Sequence, residues 1–391
     1  MAQDHHPDSV AGKIVTGAAI GVGAIVAGAA VAAGVVSVIF ARTVVTPPIK
    51  RDEDVRILGH DDATITLSAT IDTMTPGRYS LWFGNDSGHA KVGEIISYDA
   101  HSVTRHLLGV DSGDLATAER GRFGGWFYNS PAELGYPFDD VEVTTELGPA
   151  PAWLIPAEQP TQRWMIGVHG RAVRRQEVLR AVPVMHEEGY TSLLVSYRND
   201  GDAPGSVDNR YSLGDTEWKD VEAAMQFAVD HGATELVLMG WSMGGATVLQ
   251  AVTRSPLASY VRGVILESPV VDWVTALHYQ GMAYRLPKIV RVGILELLSH
   301  RWARPLTGLT TPVNLKRLDL VTRANELTQP ILLLHSDDDG YIPSTASRAL
   351  ALARPDIVTF EPFTTARHTR LWNYDSERWT AVIRRWLRAL D

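Results

Sequence analysis

Leu236-Val237-Leu238-Met239-Gly240-Trp241-Ser242-Met243-Gly244-Gly245-Ala246-Thr247-Val248 decides the reading of this chain. Four apolar residues, Leu236 to Met239, have the length and composition of a buried strand. Met243 to Val252 has a helical pattern. Between them the pattern G-x-S-x-G makes a strand–turn–helix connection so tight that Ser242 must take a strained backbone shape, with glycines keeping Cβ atoms out of the way. Such a turn lifts the serine hydroxyl above the sheet at a helix N-terminus. There the helix dipole and free N–H groups favour a developing oxyanion.

Working outward, strands and helices alternate from about residue 140 to the end. Val141–Leu147 and Ala152–Ile155 flank a Gly-Pro turn and read as a hairpin. Arg163–Val168, Leu193–Ser196, Val264–Glu267 and Ile331–Leu334 read as strands. Gln176–Glu188, Asp215–His231 and Asp375–Leu390 read as helices. Repeated β-α-β units call for a mostly parallel central sheet flanked by helices, with the site beyond the carboxyl ends of its strands. The fold class expected is therefore α/β, with a domain at 140–391.

With the Ser242 turn in this context, residues 140–391 resemble the α/β-hydrolase superfamily, most closely its membrane-associated Bem46-like and ABHD-type serine hydrolases. The resemblance covers about two-thirds of the chain. It implies a triad in the order Ser, acid, His. Of the histidines after Ser242, His368 lies in the loop before the last helix, where the family places its catalytic His, although Arg367 stands where that family usually has Gly. The acid loop resembles H-G-x-x-D-x-x-V-P as His335-Ser336-Asp337-Asp338-Asp339-Gly340-Tyr341-Ile342-Pro343. Aligning His335 and Pro343 puts the acid at Asp339, with Asp338 the neighbouring alternative. The resemblance further implies oxyanion donors in the backbone N–H groups of Met243 and of Arg171, the residue after His169-Gly170.

An insertion at about 270–325 carries Trp273, Leu277, Tyr279, Met282, Leu286, Ile289, Val290, Ile294, Leu298 and Trp302 at helical spacing, and is expected to form a helical cap. An apolar cap above a serine favours an apolar acyl group, so the expected activity is carboxylic ester hydrolysis through an acyl-enzyme. A serine peptidase or amidase of the same fold is one alternative, and a non-catalytic hydrolase-fold binding protein another. No metal or organic cofactor is implied.

The N-terminal third differs. From Ile14 to Phe40 there are 27 residues without a charge, bracketed by Lys13 and Arg42. As a helix these would extend about 40 Å, more than the roughly 30 Å of bilayer hydrocarbon. A transmembrane helix at 14–41 is expected after a tail at 1–13, making the protein a single-pass protein of the cell membrane. A cleaved signal peptide is the alternative. Arg42, Lys50, Arg51 and Arg56 after the span, against Lys13 before it, lean toward a cytoplasmic enzyme domain. No catalytic candidate lies before residue 46, so the enzyme is expected to work without those residues. A linker at 42–54 leads to a β-rich segment at 55–139. There Thr64–Leu67, Arg78–Phe83, Val92–Tyr98 and Ser102–Val110 read as strands with no visible chemistry.

Composition narrows the partners. The net charge of −9 argues against nucleic acid, which needs a basic surface, and the absence of cysteine excludes disulfides and thiolate chemistry. The expected partners are a small acyl ester or lipid-like substrate and, through the N-terminal helix, a membrane.

Overall fold

The computed structural model describes residues 30–48 and 51–390. The expected tail and the first part of the expected membrane span, residues 14–29, lie outside them. Six antiparallel strands come first: β1 (Val55–His60), β2 (Thr64–Ser68), β3 (Tyr79–Phe83), β4 (Gly88–Tyr98), β5 (Ser102–Ser112) and β6 (Arg120–Gly124). They close into a barrel in the order β1-β2-β5-β4-β3-β6. The period-two pattern of β2 sends Ile65 and Leu67 inward, onto Tyr79, Leu81, Phe83, Val92 and Val103. Arg105 is fully buried among them, and carbonyls satisfy its guanidinium: Gly93 at 2.8 Å, Thr73 and Thr75 at 2.7 and 2.9 Å, and Gly77 at 2.7 Å. A cation is tolerated in so small a core because its donors are hydrogen-bonded.

The second unit is an eight-stranded sheet of β7 (Asp139–Thr145), β8 (Gly148–Ile155), β9 (Arg163–Val168), β10 (Thr191–Val195), β11 (Glu235–Trp241), β12 (Val261–Glu267), β13 (Ile331–Ser336) and β14 (Val358–Phe363). The order is β14-β13-β12-β11-β9-β10-β8-β7. Strands from β14 to β10 are parallel, and only the β7–β8 hairpin edge runs antiparallel. Helices Trp218–Asp230 and Met243–Arg254 bury apolar side chains on one face. Helices Val182–Glu187 and Ser376–Arg388 do so on the other. The chain leaves β9 for β10 on one side and returns to β11 on the other. The switch point therefore falls between the ends of β9 and β11, which carry Arg171 and Ser242.

Two local expectations change. Gln176–Glu188 is not one α-helix but a 3-10 stretch, Arg175–Ala181, followed by the α-helix Val182–Glu187. Pro183, which has no N–H, sits in that helix's first turn, where none is needed. A further helix, Thr345–Ala353, lies between β13 and β14. In the insertion, Trp273–Ala283, Lys288–Ser299 and Arg304–Thr307 are helical.

Residues 30–45 are also helical and lie on this insertion. Ala41 and Val45 are wholly buried in the core that contains Trp273 and Leu298. Phe40 meets Tyr284 edge-on at 5.5 Å, and Ser37 is buried beside the carbonyl of Val290. Gly293 allows this approach, since a Cβ there would come within 2.7 Å of Ser37 Oγ. Among the described residues no helix is long and apolar enough to cross a membrane.

Candidate active site

Ser242 stands between β11 and helix Met243–Arg254 with φ 51° and ψ −116°, a region that L-residues rarely adopt. Its neighbours make the turn possible. A Cβ on Gly244 would come within 2.3 Å of the Val168 carbonyl, and one on Gly240 within 2.6 Å of the Gly244 carbonyl. Backbone bonds from Ser242 N–H to Glu267 and from Val270 N–H to Ser242 fix the turn against β12.

His368 Nε2 is 3.0 Å from Ser242 Oγ, and His368 Nδ1 is 2.7 Å from Asp339 Oδ2. The three residues chosen from the sequence thus form one continuous array. Asp339 is buried, and its other oxygen accepts the N–H groups of Tyr341 and Ile342 at 2.8 and 2.9 Å. Burial opposes its ionisation, but the His368 charge and the hydrogen bonds of His335 and His368 prevail and hold its carboxyl well below the usual carboxylate range.

The neighbouring aspartates do other work. Asp337 pairs with Arg348 at 2.6 Å and accepts Ser344 Oγ–H at 2.8 Å. Asp338 accepts the Arg367 N–H at 2.9 Å and the Ser336 hydroxyl at 2.6 Å. These bonds account for two departures from the resembling pattern. Arg367 has φ 64° where glycine would be free of strain, and Asp338 ties it down; Ser336 accepts the Ala366 N–H at 3.0 Å.

A family model described as "Alpha/beta hydrolase family" matches residues 165–384. The chain belongs to the alpha/beta hydrolase family. A domain of unknown function, DUF8805, matches residues 56–124, which form the barrel. No curated protein matches. Among solved structures, two crystal forms of an esterase from Pyrococcus furiosus are similar at TM-score 0.52 with 18% and 19% identity. Each covers 67% of this chain, and 94% and 96% of that chain are covered in turn. An esterase from Exiguobacterium antarcticum is similar at TM-score 0.47 and 18% identity, over 64% of this chain and all of that one. Structural likeness at this identity speaks for the fold alone.

In this alpha/beta hydrolase the candidate donor Met243 directly follows Ser242, and the candidate donor Arg171 follows Gly170, where a Cβ would come within 3.3 Å of Ser242 Cβ. Among the described residues the backbone N–H groups of Met243 and Arg171 have no protein acceptor. Several buried groups hold the Arg171 loop. Glu177 accepts the Gly170 N–H at 2.7 Å, and the Tyr197 hydroxyl donates to the Gly170 carbonyl at 2.7 Å. His169 stacks on Tyr197, and burial lowers its pKa to about 4, which keeps the ring neutral. The Arg171 side chain, at the edge of the cleft beside His368, is held by the N-terminal helix. It donates to the carbonyls of Thr43, Val44 and Thr46, at 2.6, 2.9 and 3.0 Å, at the C-terminal end of the helix at 30–45.

Sequence reasoning missed the residues that hold the His368 loop. Arg180, fully buried, donates to the Thr369 carbonyl at 2.8 Å and to Asn373 Oδ1 at 2.7 Å. Asn373 in turn donates to the carbonyls of Arg78 and Gly125, at 2.8 and 2.9 Å, and so joins this loop to the barrel. Glu177 and Arg180, three apart beside a helix, carry the same sequence signal as a solvated pair.

The barrel also forms one wall of the cleft beside His368. This cleft of about 550 Å³ is lined by Arg51, Asp54, Asp72, Arg122, Trp126, Tyr341, Arg367 and Arg370, among others. The β-rich segment, whose sequence shows no visible chemistry, thus contributes to the wall of this cleft. A second Ser–His–Asp array, Ser80, His89 and Asp111, has 2.8 Å contacts inside the barrel. Ser80 and His89 are wholly buried and the Ser80 hydroxyl donates to the Trp126 carbonyl, so this array has a structural role.

Proposed function

We propose that this protein is a serine hydrolase that cleaves a carboxylic ester through an acyl-enzyme intermediate. The observation that carries the reading is the Asp339–His368–Ser242 array, closed by hydrogen bonds of 2.7 and 3.0 Å on a strained strand–helix turn. Ser242 Oγ attacks the ester carbonyl carbon while His368 Nε2 takes its proton. Asp339 fixes the imidazole with Nδ1–H toward it and stabilises the imidazolium. The N–H groups of Met243 and Arg171 hold the oxyanion. Collapse breaks the ester C–O bond, and His368 returns the proton to the leaving alkoxide. Water, deprotonated by His368, then attacks the acyl-enzyme, releases the acid and restores Ser242.

The apolar insertion supported an apolar acyl group at the sequence level. Val290, Ile294, Leu297 and Leu298 of that insertion are spent on its own packing and on the helix at 30–45. The cleft lining supports a polar group on the part of the substrate that lies against the barrel. A membrane-attached enzyme of the Bem46-like and ABHD type remains our reading of the charge-free N-terminal run. The packing of Ser37, Ala41 and Val45 on the enzyme ends the spanning part before residue 31, which still leaves residues 14–30 for a span, at the lower end of the roughly 17–25 residues one needs.

Turnover of a panel of p-nitrophenyl esters, with apolar and with charged acyl groups, tests the reading. Hydrolysis by the parent protein and none by Ser242→Ala is the expected result. No turnover of any ester by a protein that also resists fluorophosphonate supports the binding-protein alternative.

A further inference from the structure

The helix at 30–45 has two faces of different fate. Ser37, Ala41 and Val45 face protein. Val31, Val35 and Ile39, spaced four apart and so in one stripe, are 67%, 54% and 56% exposed. The stripe runs beside Ile289, Trp302 and Leu306 of the cap, of which Ile289 and Trp302 are 66% and 63% exposed. Together they border an apolar groove of about 660 Å³. A contiguous apolar surface of this kind marks a contact site.

Its surroundings state the chemistry of the contact. Arg285, Lys288, Arg301 and Arg304, close in sequence to Ile289, Trp302 and Leu306, are exposed, and none forms an ion pair among the described residues. The one acidic residue between 284 and 306 is Glu296, which lines the groove and faces His300 at 3.2 Å. A positive rim thus stands on a chain whose net charge is −9. Directly before the stripe comes the rest of the charge-free run, residues 14–29.

We propose that this face lies on an anionic lipid bilayer. Val31, Val35, Ile39, Ile289, Trp302 and Leu306 sit at the boundary between headgroups and acyl chains, and the four basic side chains sit on the headgroups. The proposal rests on the reading that the N-terminal run is embedded in that same bilayer. A second copy of the chain fits the patch less well, since a two-fold contact would bring two positive rims together. The helix then lies along the surface at residues 31–39 and carries the catalytic cleft at its far end, about 20 Å from Val31.

The chain has no cysteine, so single introduced cysteines report cleanly. Full-length Ile289→Cys and Trp302→Cys proteins, carrying an environment-sensitive NBD label, are reconstituted with doxyl-labelled phosphatidylcholine, with and without phosphatidylglycerol. Leu352→Cys, on the exposed side of the helix Thr345–Ala353, is the reference. The expected result is blue-shifted emission and quenching several-fold stronger at 289 and 302 than at 352 with phosphatidylglycerol. Charge reversal at Arg285, Lys288, Arg301 and Arg304 together should abolish the difference while the protein still floats with vesicles. Quenching at 289 and 302 no stronger than at 352, in protein that floats with the vesicles, overturns the docking alone. Equal quenching without phosphatidylglycerol overturns the role of the basic rim. A blue shift that grows with protein concentration and lacks doxyl quenching assigns the face to a second copy. Failure to float at all overturns both the docking and the membrane reading beneath it.

Discussion

Arg171 Nε donates to the carbonyl of Val44 at 2.9 Å, so the residue whose backbone N–H is the second candidate oxyanion donor is fastened by its side chain to the N-terminal helix. Two further bonds, to Thr43 and Thr46, complete the clasp, and Tyr211 N–H caps Val45 at 2.8 Å. The helix is thus fastened to the loop that carries the second candidate oxyanion donor. This packing speaks against the expectation that the enzyme works without residues 1–45.

Arg171→Ala keeps the backbone N–H but releases it from its tether. We expect kcat to fall about 10- to 100-fold, less than the 10²–10³ cost of deleting an oxyanion donor outright. KM should change little, and the affinity of a boronic acid analogue should fall in parallel with kcat. Loss of KM alone would mean that Arg171 serves substrate binding instead. Deleting residues 1–29 should leave soluble-substrate turnover intact. Deleting 1–45 should lower the melting temperature and the rate together, because it strips Ala41 and Val45 from the core.

The three adjacent aspartates separate by role. Asp339→Asn removes the charge that stabilises the imidazolium and should cost about 10⁴ in kcat. Asp337→Asn touches an exposed Arg348 pair and the Ser344 hydroxyl, neither of which contacts His368, and should stay within a fewfold of the parent, as exposed pairs contribute little. Asp338→Asn loosens Arg367 beside His368 and should fall between them. Equal rates for Asp339→Asn and Asp337→Asn, measured on folded protein, would contradict the assignment.

Asp200 gives a pH signature to the fold near the oxyanion loop. Burial raises its pKa to about 7, against the hydrogen bond from Tyr211 and the charge of Arg171. In the unfolded chain it ionises near 4. Its folded pKa is the higher, so its contribution to stability is complete below about pH 4 and is lost as the pH rises through about 7. Asp200→Asn cannot ionise and should gain a few kcal/mol relative to the parent between pH 5 and pH 8. Thermal unfolding at the two pH values checks this. An unchanged difference in melting temperature would show that Asp200 is not titrating.

Asn373→Ala should uncouple the barrel from the His368 loop. It removes donors from the carbonyls of Arg78 and Gly125 and an acceptor from Arg180, at a cost of about 1–3 kcal/mol for each buried group left unpaired. Lower stability with reduced kcat is expected. Full activity would show that the loop keeps its shape without the barrel.

Ser242 and His368 were legible because chemistry forces their surroundings: glycines around one, a loop between the last strand and last helix around the other. Asp339 was legible only through its alignment with Pro343. The part played by the barrel was not legible, because Asp72 and Arg122 come from a turn and a strand whose residues carry no motif. Nor was the docking of residues 30–45. An uninterrupted Ala, Val and Ile run reads the same against lipid as against protein, and the faint signal was the small-residue spacing of Ser37 and Ala41. Glu177 and Arg180 were hidden because burial, not residue type, turns a charged pair into a positioning element.

The central claim is that Ser242 is a nucleophile activated by His368. Incubating the full-length protein with a fluorophosphonate and mapping the adduct by peptide mass spectrometry tests it most directly. The adduct is expected on Ser242, with none in Ser242→Ala and a strongly slowed reaction in His368→Ala. An adduct on another residue, or equal labelling of parent and Ser242→Ala, would contradict it.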